Sequence, residues 1–214
     1  MKISESNSNE LKLNIGKILP QSRVNGPGNR CVVWLQGCGI RCPHCMNQQF
    51  LSREPKTVMT VSELYETIAS IPEIEGVTYS GGEPFGQAKG LYFLGRKLKG
   101  KGLTVMSYSG YTYRELISRK DRYISGLLST LDILVDGKFE ADKAASLPWR
   151  GSRNQKVHFL TEKYKHYEKD IDREGVDMEF SLMGNDVTVT GNFHGDLLQK
   201  ITTRLKDDYG IILK

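Results

Sequence analysis

No apolar run in the 214 residues approaches the roughly 18–20 that a membrane-spanning helix needs. The first ten residues, MKISESNSNE, are polar and contain no apolar stretch of the kind a secretory signal carries, so a loose tail is expected there. Charge of one sign is also in short supply. Thirty basic residues against twenty-five acidic ones leave a net charge of +5, which fits a solvated surface and does not call for nucleic acid or a membrane as a partner. Internal repeats and low-complexity segments are missing. Cysteine is absent from most of the chain: all four, Cys31, Cys38, Cys42 and Cys45, lie within fifteen residues. A disulfide framework spreads its cysteines to staple distant segments, so this cluster points to a metal site and a reducing, cytoplasmic setting. What remains is ordinary globular composition, 38% hydrophobic and 26% charged, in a length that suits one core with a modest extension.

Strand and helix signals alternate along most of the chain. Leu11–Ile15 alternates in polarity, and Val24–Gly28 reads as a turn. Cys31–Gln36 is a short, β-branched, apolar run expected to form a buried strand, with the cysteine loop directly after it. Thr60 and Glu63 form a capping box, followed by Val61, Leu64, Ile68 and Ile71 at helical spacing. Gly76–Ser80 reads as a strand ending in Gly81-Gly82, and Ala88–Lys99 as a basic amphipathic helix. Leu103–Ser107 follows as a strand, Tyr113–Leu128 as a helix broken near Asp121, and Leu131–Val135 as a strand ending in Asp136-Gly137-Lys138. This order predicts right-handed βαβ units and a parallel sheet, with ligands at the carboxyl ends of the strands. The cysteine loop, Gly81–Pro84, Ser107–Gly110 and Asp136–Lys138 are therefore expected to converge. Beyond residue 156 the pattern changes. Val157–Leu160 reads as a strand, Glu162–Ile171 as a charged helix, Val176–Met183 and Asp186–Thr190 as a hairpin turning at Gly184-Asn185, and Leu197–Leu205 as a last helix. The expected division is a core over 1–156 and an α+β appendage over 157–214.

The spacing Cys38-x3-Cys42-x2-Cys45 carries the chemistry. Three thiolates in one tight loop satisfy three irons of a 4Fe-4S cluster and leave the fourth open to a ligand, as an open position distinguishes a catalytic zinc from a structural one. On spacing alone two alternatives stay open: zinc with Cys31 or His44 as fourth ligand, and a plain electron carrier that uses all four cysteines. Cys31 sits inside an apolar run where a small buried residue belongs.

The cysteine motif is the signature of the radical S-adenosylmethionine (SAM) superfamily. Val24–Arg30, GCGIRCPHCMN (37–47), YSGGEPFGQ (79–87), SGYTYREL (109–116), LVDGKFE (134–140) and LPWRGSRNQ (147–155) together resemble the small activating proteins of anaerobic ribonucleotide reductase, in that family's order, over about residues 24–156. The resemblance implies an α/β fold, a partial (β/α) barrel of radical SAM type with the small C-terminal α+β appendage. It implies Cys38, Cys42 and Cys45 as cluster ligands and a unique iron chelated by the methionine part of SAM. Gly81, Gly82 and Glu83 would receive the methionyl amino group, Lys138 the carboxylate, and Asp136 the ribose or a cation. Ser107 and Ser109 are ribose candidates. Arg150 and Asn154 are expected on the cofactor or substrate side, and His44 beside adenine. No further acid, base or nucleophile is implied, because the cofactor carries the difficult chemistry.

The implied reaction is reductive cleavage of SAM to a 5′-deoxyadenosyl radical, with flavodoxin or ferredoxin as electron donor. The implied protein substrate is a glycyl-radical enzyme such as anaerobic ribonucleotide reductase, whose partner surface could include the helix residues Arg96–Lys99. A stand-alone enzyme acting on a peptide, nucleotide or small molecule is the second reading. Two departures from the family stand out: His44 precedes the last cluster cysteine where the superfamily often carries an aromatic, and Met46 follows it where the activating proteins usually do.

Overall fold

A computed structural model describes residues 8–183, 186–193 and 195–210. Its centre is a seven-stranded sheet in the order β3-β1-β2-β4-β5-β6-β9. The strands are β1 (Lys12–Ser22), β2 (Arg30–Leu35), β3 (Thr57–Thr60), β4 (Gly76–Gly81), β5 (Thr104–Ser109), β6 (Ile133–Asp136) and β9 (Lys156–Phe159). β2, β4, β5 and β6 run parallel, while β1, β3 and β9 pair antiparallel at the flanks. The result is a mixed α/β sheet that stays open, with β3 and β9 as its edges; the described strands do not close a barrel. β3 pairs only with Lys12–Ile15, so Pro20 of β1 meets no demand for a donor on that side.

Four helices cover one face: α1 (Val61–Ala69), α2 (Ala88–Gly100), α3 (Tyr113–Ser118) and α4 (Arg122–Thr130). Thr60 and Thr112 each form a complete capping box, with Glu63 and Glu115. The expected break near Asp121 is real, because Asp121 accepts the Tyr123 and Ile124 amides and starts α4. Every residue of β2 is buried, as a strand covered on both faces requires. Cys31, Val33 and Leu35 join the helix-side core with Val77, Tyr79, Val105, Leu134 and the leucines of α2. Val32 and Trp34 face the other way, with Leu19 and Phe50. Met106, Ile133, Val135 and Tyr164 form a third cluster. The basic helix α2 spends part of its charge internally: Lys99 pairs with buried Asp132 at 2.7 Å, and Lys97 reaches Asn9 at 3.2 Å.

The expected boundary after residue 156 falls inside β9, a strand of the main sheet, so the chain leaves the sheet only after Phe159. Glu162–Asp170 is a 3-10 helix. The sequence pattern suggested neither the edge strand β3 nor two small strands, β7 (Ala144–Leu147) and β8 (Arg150–Ser152), which form a separate ribbon. β10 (Asp177–Met183) and β11 (Asp186–Asn192) make the expected hairpin, although its turn at Gly184-Asn185 lies outside the described residues. The last helix is α5 (Gly195–Tyr209). No helix among the described residues is long and apolar enough to cross a membrane.

Arg30 ties the sheet to its surroundings. Its side chain is fully buried. It donates to Thr78 Oγ1 (2.8 Å), the Val77 carbonyl (2.8 Å), Thr104 Oγ1 (3.0 Å) and the Pro27 carbonyl (3.2 Å). Arg30→Met keeps the length and removes every donor. It is expected to cost about 3 kcal/mol in chemical denaturation, because buried acceptors lose their partners.

Candidate functional site

A cavity of about 620 Å³ opens at the carboxyl ends of β2, β4, β5 and β6, on the face away from the helices. Its size suits a cofactor. Trp34, Ser80 and Tyr108 contribute its floor. The cysteine loop, Gly81–Glu83, Gly137, Trp149–Gly151 and Val187–Phe193 form its walls.

Cys38, Cys42 and Cys45 all line it. The loop makes its turns with Arg41 and His44 in the left-handed region, at φ 53° and 57°. The Ile40 amide donates to Cys38 Sγ and the Asn47 amide to Cys45 Sγ, each at 3.4 Å. Burial raises the pKa of Cys45; the Asn47 amide opposes this, and the nearby thiols of Cys42 and Cys38 add to it. Neither candidate for a fourth protein ligand shares the cavity. Cys31 lies in the helix-side core, where burial pushes its thiol up to about 12. His44 is exposed and turned away. Among the described residues no three His, Cys, Asp or Glu side chains converge closely enough to cage a single ion. Three thiols lining one cavity, two of them accepting from backbone amides, are suited to hold three irons of a 4Fe-4S cluster.

Gly81 presses against the end of β2 and Gly82 against this loop. A Cβ on Gly81, which has φ +98°, would lie 2.5 Å from the Leu35 nitrogen; one on Gly82 would lie 2.3 Å from the Gly37 carbonyl oxygen. The Gly82 amide donates to Leu35 O (2.8 Å) and the Glu83 amide to Gly37 O (2.9 Å). The glycines are therefore required by the approach of two backbones as well as by any ligand. Glu83 is buried, and its carboxylate accepts from Gly110 N (2.8 Å), Phe85 N (2.9 Å) and Ser109 Oγ (3.0 Å). Burial raises its pKa despite these three bonds. Glu83 and Ser109 thus lock β4 to the end of β5 while bordering the cavity. Arg150 also borders it. This buried guanidinium is held by Asp172 at 2.7 Å and by the Ile171 carbonyl, and its Nε has no partner.

Five of the expected cofactor residues lie elsewhere. Ser107 is fully buried and bonds the Tyr108 carbonyl at 3.0 Å. Asp136 and Lys138 flank Gly137, which turns the chain at φ 102°, and of the three only the glycine reaches the cavity. Asp136 Oδ2 instead takes the Tyr113 amide at the start of α3 (2.5 Å) and lies 3.0 Å from His158 Nε2. Lys138 is exposed. Asn154 ties the Lys138 carbonyl at 2.8 Å, outside the lining. His44 is the fifth.

Other site residues were not singled out by sequence reasoning. Gln87, in the same motif as Gly81, bridges Asn14 and the Gln36 carbonyl. Gln155 accepts from Gly151 N (2.9 Å) and donates to Gly137 O (3.0 Å). Lys17, Asn25 and the β11 residues Thr188, Thr190 and Asn192 also line the cavity. The alternation Thr188–Thr190–Asn192 is visible in the sequence, but a polar stripe ordinarily signals a solvent face.

Two outcomes test this geometry. Gly82→Ala must displace the Gly37 backbone; it is expected to lose roughly 2 kcal/mol of stability and to retain less iron after reconstitution. Gly86→Ala, whose Cβ meets nothing within 4 Å, leaves both unchanged. Burial acts to raise the pKa of Asp136, but the bonds from His158 and the Tyr113 and Lys156 amides win, and the net pKa lies below the ordinary 3.8. Its stabilisation is therefore complete above that value and is lost as pH falls through the lower folded value. Denaturation curves of Asp136→Asn should be flatter than the parent's in that acid window.

Residues 24–158 match the family described as the 4Fe-4S single cluster domain. The anaerobic ribonucleoside-triphosphate reductase-activating protein of Vibrio cholerae is 33% identical over 158 residues, 70% of this chain and 99% of that protein. The protein of the same name from Pasteurella multocida is 34% identical over 164 residues, 70% and 99% of the two chains. Among solved structures, QueE from Escherichia coli superposes with a TM-score of 0.43 at 17% identity, over 49% of this chain and 56% of that one, too distant to carry weight. On the cysteine loop, the glycine seam behind it and near-complete alignment with these relatives, the chain belongs to the 4Fe-4S single-cluster family that includes the anaerobic ribonucleoside-triphosphate reductase-activating proteins.

Proposed function

We propose that this chain is a radical SAM activase that generates a glycyl radical on an anaerobic ribonucleotide reductase or a closely similar enzyme. One observation carries the reading: the part of the chain that aligns with nearly the whole length of the activating proteins is the part that brings three cysteines and a glycine cradle to one cavity. The open sheet is read as an incomplete (β/α) barrel whose unclosed side admits a loop of the partner.

Cys38, Cys42 and Cys45 would hold the 4Fe-4S cluster, leaving one iron for SAM. When bound, the pair supplies one-electron cleavage of the sulfonium to methionine and a 5′-deoxyadenosyl radical that removes hydrogen from the substrate. The protein's task is to bind, orient and shield. The Gly81-Gly82 backbone would face the methionyl group. Glu83 and Ser109 would fix that backbone against β5 rather than act as free ligands. Arg150 Nε, buried without a partner, is the donor available to an acceptor on the cofactor. Tyr108 and the Gly137 backbone would border the nucleoside. Flavodoxin or ferredoxin in a reducing cytoplasm would deliver the electron.

A second reading has one observation in its favour. β11 belongs to the chain beyond the family match, yet it walls the cavity, as a cap for a smaller substrate would.

Reconstituted protein given dithionite and SAM is expected to release 5′-deoxyadenosine. With the reductase present, electron paramagnetic resonance should show a glycyl doublet on the reductase. Release of 5′-deoxyadenosine with a competent but silent reductase would favour the second reading. Cys38→Ala, Cys42→Ala and Cys45→Ala should each abolish release. Cys31→Ala should keep cluster and activity; loss of the cluster in that variant would overturn the ligand assignment.

A further inference from the structure

The cavity's charged lining is sparse. Glu83 is saturated by three donors, and Arg150 is paired with Asp172. Lys17, the remaining charged residue of the lining, projects from β1 on the same face as its cross-strand neighbour Trp34. Its ammonium donates to Thr188 Oγ1 at 2.5 Å, and no carboxylate among the described residues pairs with it. A hydroxyl that accepts from an ammonium still has its own proton to give, and the ammonium keeps two more. Lys17 and Thr188 therefore present hydrogen-bond donors and one uncompensated positive charge to a partly enclosed space.

Next to them, Asn25 and Thr190 are 8% and 9% exposed. They bond each other, Asn25 Nδ2 to Thr190 Oγ1 at 3.0 Å, and Asn25 also reaches Ser22 Oγ at 2.9 Å. This holds β11 against the sheet with its polar edge inward. Its alternate residues Val187 and Val189 are half-buried beside the cavity and pair with the exposed Leu182 and Phe180 of β10. Hydroxyls and an amide turned toward the sheet add little hydrophobic energy to the docking of the hairpin, so these polar groups call for another explanation. Location supplies one. Lys17 is on β1, on the opposite side of β2 from Gly81–Glu83, Tyr108 and Gly137, which the proposed function assigns to SAM.

We propose that Lys17 and Thr188, positioned by Asn25 and Thr190, form an oxyanion subsite on the substrate side of the cavity. It takes a carboxylate or phosphate of the molecule that enters beside SAM. A cation backed by hydroxyl donors in a low-dielectric cleft selects such a group and orients it. The subsite rests on the proposed function for its place beside SAM, but its anion affinity does not depend on that reading. The strand that completes it lies beyond residue 158, where the family match ends. The subsite is thus completed by this chain's extension and would narrow its substrate to one bearing an anion near the reacting carbon.

The test uses the reconstituted full chain without SAM or reductase, treated anaerobically with a lysine acylating reagent and mapped by mass spectrometry. Saturating inorganic phosphate or N-acetylglutamate is expected to slow acylation of Lys17 by about tenfold, while the exposed Lys12 and Lys56 react unchanged. Protection by phosphate alone points to a phosphorylated substrate, and protection by N-acetylglutamate to an acidic side chain or chain terminus; either supports the subsite. Thr188→Val, which keeps Lys17, should lose most of the protection. Equal effects at all three lysines, or no protection by either anion, would overturn the proposal. Because neither SAM cleavage nor radical formation is read, failure here is separable from failure of the activase reading.

Discussion

The backbone seam between the cysteine loop and the end of β4 is the constraint on which the site depends. The Gly37 amide bonds the Phe50 carbonyl at 2.8 Å, and the Cys38 amide bonds Leu51 O at 3.1 Å, so the loop closes on itself. The Gly82 and Glu83 amides then bond Leu35 O and Gly37 O. No side chain fits between these strands, and Gly82 is the position at which both backbones meet. The seam sets the distance between the thiols and the glycine cradle without using any group that a cofactor would need. Glu83 extends the constraint by engaging Gly110 and Ser109 at the end of β5.

Most of the sheet was legible because β2, β4, β5, β6 and β9 each carried their own signal, whereas β3 and the second half of β1 did not. The β-branched run of β2, the capping box of α1 and the Asp121 break are local features whose physics survives packing. Convergence of the strand ends followed from the βαβ order. What the sequence did not disclose was which way each side chain faces at those ends. Asp136 reads as a ligand in Asp136-Gly137-Lys138, yet alternation turns it toward the helix layer, where it meets the start of α3 and His158. Ser107 has the same fate. A one-residue difference of phase decides the matter, and boundaries good to two residues cannot resolve it. β11 misleads for another reason: its polar residues Thr188, Thr190 and Asn192 are the buried ones.

The extension changes what kind of cavity this is. In the aligned region the cavity walls are the cysteine loop, the strand ends and the Trp149–Gly151 segment. Beyond it, β11 adds threonine and asparagine past the end of the family match. Glycine backbone lines the cavity on the β4 side of β2, and hydroxyls with the Lys17 ammonium line it on the β1 side. The β11 part of that lining lies beyond the family match.

In the proposed site protein sulfur occupies three irons and leaves the fourth to SAM. Mössbauer spectroscopy of protein reconstituted with ⁵⁷Fe reports this directly. The expected spectrum is that of a 4Fe-4S cluster in which one iron site alone shifts on addition of SAM, and it is the same for Cys31→Ala. Four irons indifferent to SAM, or a preparation that binds zinc in place of iron, would contradict it.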